Sequence, residues 1–174
     1  MTPAQLRDLY ERKSAAISRR PHFAQSIGHA SVRFVGDLAC EVAHDERALR
    51  VDLPPEEGGA GVGPYPGELM RASLGACLAM GYKIWSARLG IPIDDATVEV
   101  TCEYDARGQL GLDPTVSIGW QRIAFDITVT TRAPEADVLR LVEHADRMSP
   151  MLANISRDVE KVFRITVIRP RPQG

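Results

Sequence analysis

Cys77 stands near the centre of a strongly apolar segment, GELMRASLGACLAMGYKIWSARL, and a thiol there can do covalent chemistry if it ionises. A thiolate attacks peroxides and electrophiles, but it needs positive charge or hydrogen-bond donors to form readily near neutral pH. At helical spacing its neighbours are Ser73, Leu74, Met80 and Gly81, none of them charged. An activating group must therefore come from elsewhere, and Arg33, Arg47 and Arg50 are the guanidiniums available. On spacing alone, packing is the reading the residues favour for Cys77, with reactivity as the open alternative. Cys40 and Cys102 fall on the apolar parity of strand-like segments, where a free cysteine acts as a small hydrophobe.

Other patterns offer less. The loop from Pro54, PPEEGGAGVGPYP, invites a dinucleotide reading, but the third glycine of G-x-G-x-x-G would fall on Pro64, and no parallel βαβ unit surrounds it. A flexible connector into the helix is the simpler expectation. The four histidines (His22, His29, His44, His144) share no ligand spacing with the three cysteines, so neither a metal nor another cofactor is expected. His144 lies beside an apolar stripe and reads as solvated or locally bonded. Glu56-Glu57 is a charged loop, and no Ser-His-Asp signature is present.

These residues need a scaffold. Thr2-Pro3-Ala4-Gln5 reads as a capping box, opening a helix that runs to Arg19-Arg20 and stops at Pro21. Period-two alternation predicts strands at roughly 28–36, 38–44 and 47–53. The apolar helix follows and ends near Gly90, with Pro92 as a stop signal. Val98, Val100, Cys102 and Tyr104 alternate with polar residues, as do Ile123, Phe125, Ile127 and Val129. Pro134 opens a helix whose stripe is Val138, Leu141, Val142, Ala145 and Met148. Ser149-Pro150 breaks it, a short helical piece follows, and VFRITVI closes the chain. Strands arrive in blocks rather than alternating with helices, so the fold class is α+β. The division expected is a helical extension over 1–20 and one domain over 21–174.

The segments LPPEEGGAGVGPYPGELMRASLGACLAM, GIPIDDATVEV and APEADVLRLVEHADRMSP, in this element order, resemble the OsmC/Ohr family of osmotically inducible and organic hydroperoxide resistance proteins. The resemblance covers about residues 28–168, and the Pro66-to-Cys77 spacing matches the family motif. It implies an intertwined homodimer in which curved antiparallel sheets wrap long central helices, with sites at the subunit interface. It also implies a cysteine thiolate that attacks a hydroperoxide, oriented by an arginine and a glutamate, with a second cysteine resolving the sulfenic acid. Cys77 matches the attacking cysteine. The second cysteine's position holds Ser149, whose structural reading as N-cap of the helix starting at Pro150 is complete without catalysis. The glutamate's position is Gly67, with Glu68 one residue later, a shift of about 100° around a helix. For the arginine, Gly36 falls near the expected place and Arg33 is the nearest candidate.

Two functions of different class follow. One is a thiol-dependent peroxidase in oxidative-stress defence, using Cys77 with an external thiol reductant. The other is a non-catalytic dimer that binds a small apolar molecule at its interface, with Cys77 as packing. A net charge of -2, with 25 % charged residues, gives no footprint for nucleic acid. Glu68, Arg71, Lys83 and Arg88 interrupt the long helix and argue against a membrane span. The basic clusters Arg19-Arg20 and Arg169–Arg171 read as solvated ends, and the polar N-terminus makes a cytoplasmic location the expectation.

Overall fold

The computed structural model describes residues 1–44, 47–155 and 158–170. The side chains of His44 and Arg47, and all of Arg171, lie outside the described residues, so the place of Arg47 among the candidate guanidiniums is not described. The elements run α1 (Pro3–Arg19), β1 (Ser31–Phe34), β2 (Cys40–His44), β3 (Arg47–Val51), α2 (Pro66–Leu89), β4 (Asp95–Glu103), α3 (Ala106–Gln109), β5 (Arg122–Thr130), α4 (Glu135–Arg147), α5 (Pro150–Ala153) and β6 (Glu160–Ile168). The architecture is α+β, as the element order predicts, and the described residues form two three-stranded sheets. The chain divides into two compact units, Met1–Ala15 with Ser73–Gly174, and Ala16–Ala72.

In the larger unit the core is built on β5, whose residues Ile123, Phe125, Ile127 and Val129 are buried. The strand is central: β4 pairs with it antiparallel, and β6 pairs with it in parallel. That parallel ladder departs from the all-antiparallel expectation. The α4–α5 segment supplies the long crossover a parallel return requires. Val98, Val100 and Cys102 oppose Ile127, Phe125 and Ile123, so one face of the sheet is apolar. Leu74, Leu78 and Tyr82 of α2 and Val138, Leu141, Val142 and Ala145 of α4 complete the same cluster. Each fully buried large apolar side chain contributes about 1.5–3 kcal/mol. Met148, predicted to extend the α4 stripe, is exposed, because the helix ends at Arg147.

The long helix is less covered than its composition suggests. Leu74, Gly75, Leu78, Tyr82, Ser86 and Ala87 are buried, whereas Ala76 is exposed and Met80 is 60 % exposed. Its end is as the sequence requires. Gly90 takes φ +70, and the Ile91 N–H donates to the Ser86 carbonyl at 3.0 Å, the long bond of a Schellman motif. At the other terminus of the chain, Thr2 and Gln5 exchange the two bonds of a capping box at 2.8 and 3.2 Å.

In the Ala16–Ala72 unit, β1, β2 and β3 form an antiparallel meander. The strands are shorter than predicted, and every residue of β1 is exposed. The glycine loop after β3 is not a flexible connector. Asp52, only 2 % exposed, organises it: Oδ1 accepts from the Leu53 N–H at 2.9 Å, and Oδ2 accepts from Ala60 at 2.9 Å and Val62 at 3.3 Å. The loop doubles back so closely that a Cβ on Gly59 would lie 2.0 Å from the Leu53 oxygen, and one on Gly63 2.2 Å from the Arg50 oxygen. Burial acts to raise the Asp52 pKa, but the N–H groups of Val62, Ala60, Leu53 and Gly61 outweigh it and hold the carboxyl below its ordinary value.

Candidate functional site

Cys77 and Ser149 are 72 residues apart in sequence, and the fold brings Sγ and Oγ to 3.4 Å. Local chemistry sets Ser149. It is the N-cap of α5, with extended backbone (φ -81, ψ 113), Pro150 follows at the first helical position, and its Oγ accepts from the Leu152 N–H at 3.3 Å. The Ser149 N–H itself donates to the Asp146 carbonyl at 3.1 Å, turning the chain sharply out of α4. Ser149 is buried at 6 % exposure, while Cys77 is half-buried. Cys40 and Cys102, expected on buried strand faces, are half-buried too, and none of the three cysteines is in a disulfide.

A second rung ties the same two segments. The Tyr82 hydroxyl, on a fully buried ring, donates to Asp146 Oδ1 at 2.7 Å. Burial pushes the Asp146 carboxyl up, and the hydrogen bond from Tyr82 draws it part of the way back. Burial, reinforced by the Asp146 charge and hydrogen bond, pushes the Tyr82 phenol far above its usual value. This rung was not legible in the sequence, where Tyr82 and Asp146 fit no catalytic spacing. Further along α2, Trp85 meets the His144 ring edge-on at 4.2 Å, and the Arg88 guanidinium sits 4.1 Å over its face. The His144 Nε2 is buried and has no hydrogen-bond partner within the described residues. A shallow cleft of about 310 Å³ opens beside α2, lined by Ala79, Met80, Lys83, Ile93, Asp94, Asp95 and Ala96.

The other two site candidates belong to the Ala16–Ala72 unit, and each has a local partner there. Arg33 on β1 donates from Nη2 to Glu41 Oε1 at 2.5 Å, the residue opposite it in register, with Arg50 next in the same row. Glu68 accepts at Oε2 from the Tyr65 N–H at 3.1 Å, the return bond of a capping box at the start of α2. Arg71 Nη2 donates to the Tyr65 hydroxyl at 2.6 Å and lies over its ring. Among the described residues, no cluster of His, Cys, Asp and Glu side chains is suited to a metal ion, and no helix is long and apolar enough to cross a membrane.

The OsmC-like protein family matches residues 58–161, more than half of the chain and spanning both Cys77 and Ser149. The chain belongs to the OsmC-like family. Solved structures share its fold at low identity. An OsmC-like protein from Mycoplasma pneumoniae superposes with a TM-score of 0.70 at 14 % identity, covering 84 % of this chain and 99 % of that one. The organic hydroperoxide resistance protein OsmC from Legionella pneumophila gives 0.64 at 18 %, covering 82 % and 100 %. An organic hydroperoxide resistance protein from Vibrio cholerae, with captopril bound in one of its active sites, gives 0.58 at 16 %, covering 82 % and 93 %. No curated protein matches the chain.

Proposed function

We propose that this OsmC-like protein is a thiol-dependent peroxidase that reduces organic hydroperoxides with Cys77 and an external thiol, acting as a homodimer. The observation that carries this reading is the 3.4 Å approach of Cys77 to Ser149, the residues that the family resemblance matches to the attacking and second cysteines. Two solved relatives of the same fold are named for organic hydroperoxide resistance, which supports the substrate class.

The chemistry balances without a cofactor. The Cys77 thiolate attacks the terminal oxygen of ROOH, the O–O bond breaks, and the alkoxide leaves and takes a proton to become ROH. Sulfur is oxidised to the sulfenic acid, the first step of the thiol oxidation ladder. Ser149 has no sulfur with which to condense, so the sulfenic acid persists until an external thiol forms a mixed disulfide and releases water. A second thiol then frees Cys77 as the disulfide of the reductant departs.

Titrating reduced protein with tert-butyl hydroperoxide and reading intact mass tests the proposal. Wild type gains one oxygen atom at Cys77, reversed by dithiothreitol, with further oxygens at higher dose. Cys77→Ser gains none. If Cys77 stays unmodified under excess hydroperoxide, the protein is instead a binder of small apolar molecules in which Cys77 only packs.

A further inference from the structure

We propose that Ser149 is more than a helix cap: its hydroxyl donates a hydrogen bond to the Cys77 thiolate, making it a catalytic residue of this chain. A serine hydroxyl has one proton and two acceptor sites. One acceptor site is taken by the Leu152 N–H at 3.3 Å. That bond fixes the oxygen in place and leaves the proton free to turn toward another acceptor. Cys77 Sγ, at 3.4 Å, lies within hydrogen-bond range of a sulfur. While Cys77 is a neutral thiol, the bond can run in either direction. Once Cys77 is a thiolate it has no proton to give, and the bond can run only from Ser149 to sulfur.

The serine is also placed for the task. At 6 % exposure it has little water to compete for its proton. The Tyr82–Asp146 bond joins α2 to α4 beside it. A hydrogen bond made to the charged form of a group favours that form. The residue that stands where the family places a second thiol thus supports the first step of the reaction, in place of the resolving step it cannot perform. This role deepens the peroxidase reading and rests on it for its purpose, but alkylation tests it without peroxide.

The experiment measures the rate at which iodoacetamide labels Cys77 at pH 7 in the full chain, followed by peptide mapping. It compares wild type, Ser149→Ala, Ser149→Thr and Asn154→Ala. A hydrogen bond to a charged acceptor is roughly twice as strong as one between neutral groups, and removing it from the attacking sulfur slows labelling in Ser149→Ala about threefold. Ser149→Thr keeps both hydroxyl and cap and restores the wild-type rate. Asn154→Ala removes the Asn154 Nδ2 bond to the Pro150 carbonyl at 2.9 Å, loosening α5 without touching the hydroxyl, and labels like wild type. Equal or faster labelling in Ser149→Ala overturns the donor role. So does an Asn154→Ala variant slowed as much as Ser149→Ala, since that makes the effect structural. A wild type inert to hydroperoxide but showing the expected alkylation pattern defeats the peroxidase reading and leaves the donor role standing.

Discussion

Asp52 and Ser149 are both polar groups withdrawn from water, and they are satisfied in opposite ways. Asp52 accepts N–H bonds from Leu53, Ala60 and Val62, all from its own loop, and its carboxylate has no proton to offer. Ser149 accepts one N–H from Leu152 and turns what remains of its bonding capacity toward a thiol from another helix. A carboxylate saturated by backbone donors builds structure, because nothing it holds can be exchanged. A hydroxyl with a proton left over, beside a sulfur that changes charge, is a place for chemistry. The comparison predicts that changes around Asp52 act on stability, and changes around Ser149 act on reactivity.

The largest effect tests the Asp52 side. Gly63→Ala places a methyl against the Arg50 carbonyl oxygen, a backbone atom that cannot rotate away. The loop must unfold from Asp52 to accept it, which costs roughly 3 kcal/mol or more. Urea unfolding should show a greatly lowered midpoint or no folded protein. A Gly63→Ala variant as stable as wild type would show that the loop is slack after all. On the other side, Ser149→Cys should change the reaction product with little change in stability. Two sulfurs need to close to about 2.05 Å, and the present side chains already lie 3.4 Å apart. Hydroperoxide should then give an intramolecular disulfide between Cys77 and the introduced thiol, seen as the loss of two hydrogens, and overoxidation should fall. Continued accumulation of sulfinic acid would mean that the pair is misaligned.

Asp52→Asn offers a finer probe, because it keeps the shape and removes the charge. The Asp52 pKa is lowered in the folded protein, so its contribution to stability is present above the unfolded value and is lost as pH falls through the lower folded value. Asp52→Asn should therefore have a lower unfolding midpoint than wild type at pH 7, and the two should converge once the wild-type carboxyl is protonated, below pH 3.8. A gap that stays constant across that range would assign the effect to shape.

The same contrast explains what the sequence made legible. Local signals came through: the Thr2–Gln5 capping box, the stop at Gly90, the alternation of β4 and β5, and the Ser149 cap all depend on residues within a few positions of one another. Asp52 falls inside the strand predicted over 47–53, and nothing in that alternation marks it as the organiser of the following loop. Its donors lie one, eight and ten residues away, in a loop whose composition suggested slack. The parallel direction of β6 depends on how its crossover packs, which periodicity does not encode. Cys77 and Ser149 were legible as a facing pair only through the family resemblance, because residues 72 apart share no local signal. Glu68 and Arg33 stand near, not at, the family positions, and the structure gives each a nearby partner.

The smallest expected effect concerns Tyr82→Phe, which removes one hydroxyl and leaves the ring in place. Asp146 then loses the donor that offsets its burial, and an unpaired buried acceptor costs about 1–2 kcal/mol. The pH dependence has the opposite sign to that of Asp52. Burial raises the Asp146 pKa, so the native state favours the protonated carboxyl, and the penalty for its charge grows as pH rises through that raised value. The stability gap between wild type and Tyr82→Phe should therefore be widest at neutral pH and narrow on acidification, while the wild-type–Asp52→Asn gap narrows only at lower pH. Tyr82→Phe also tests whether the two rungs are coupled. If the Tyr82–Asp146 bond sets the register of Ser149, Cys77 labelling should slow in Tyr82→Phe and should not slow further when Ser149→Ala is added. Fully additive slowing would mean that the rungs act independently, and that the α5 cap alone positions the hydroxyl.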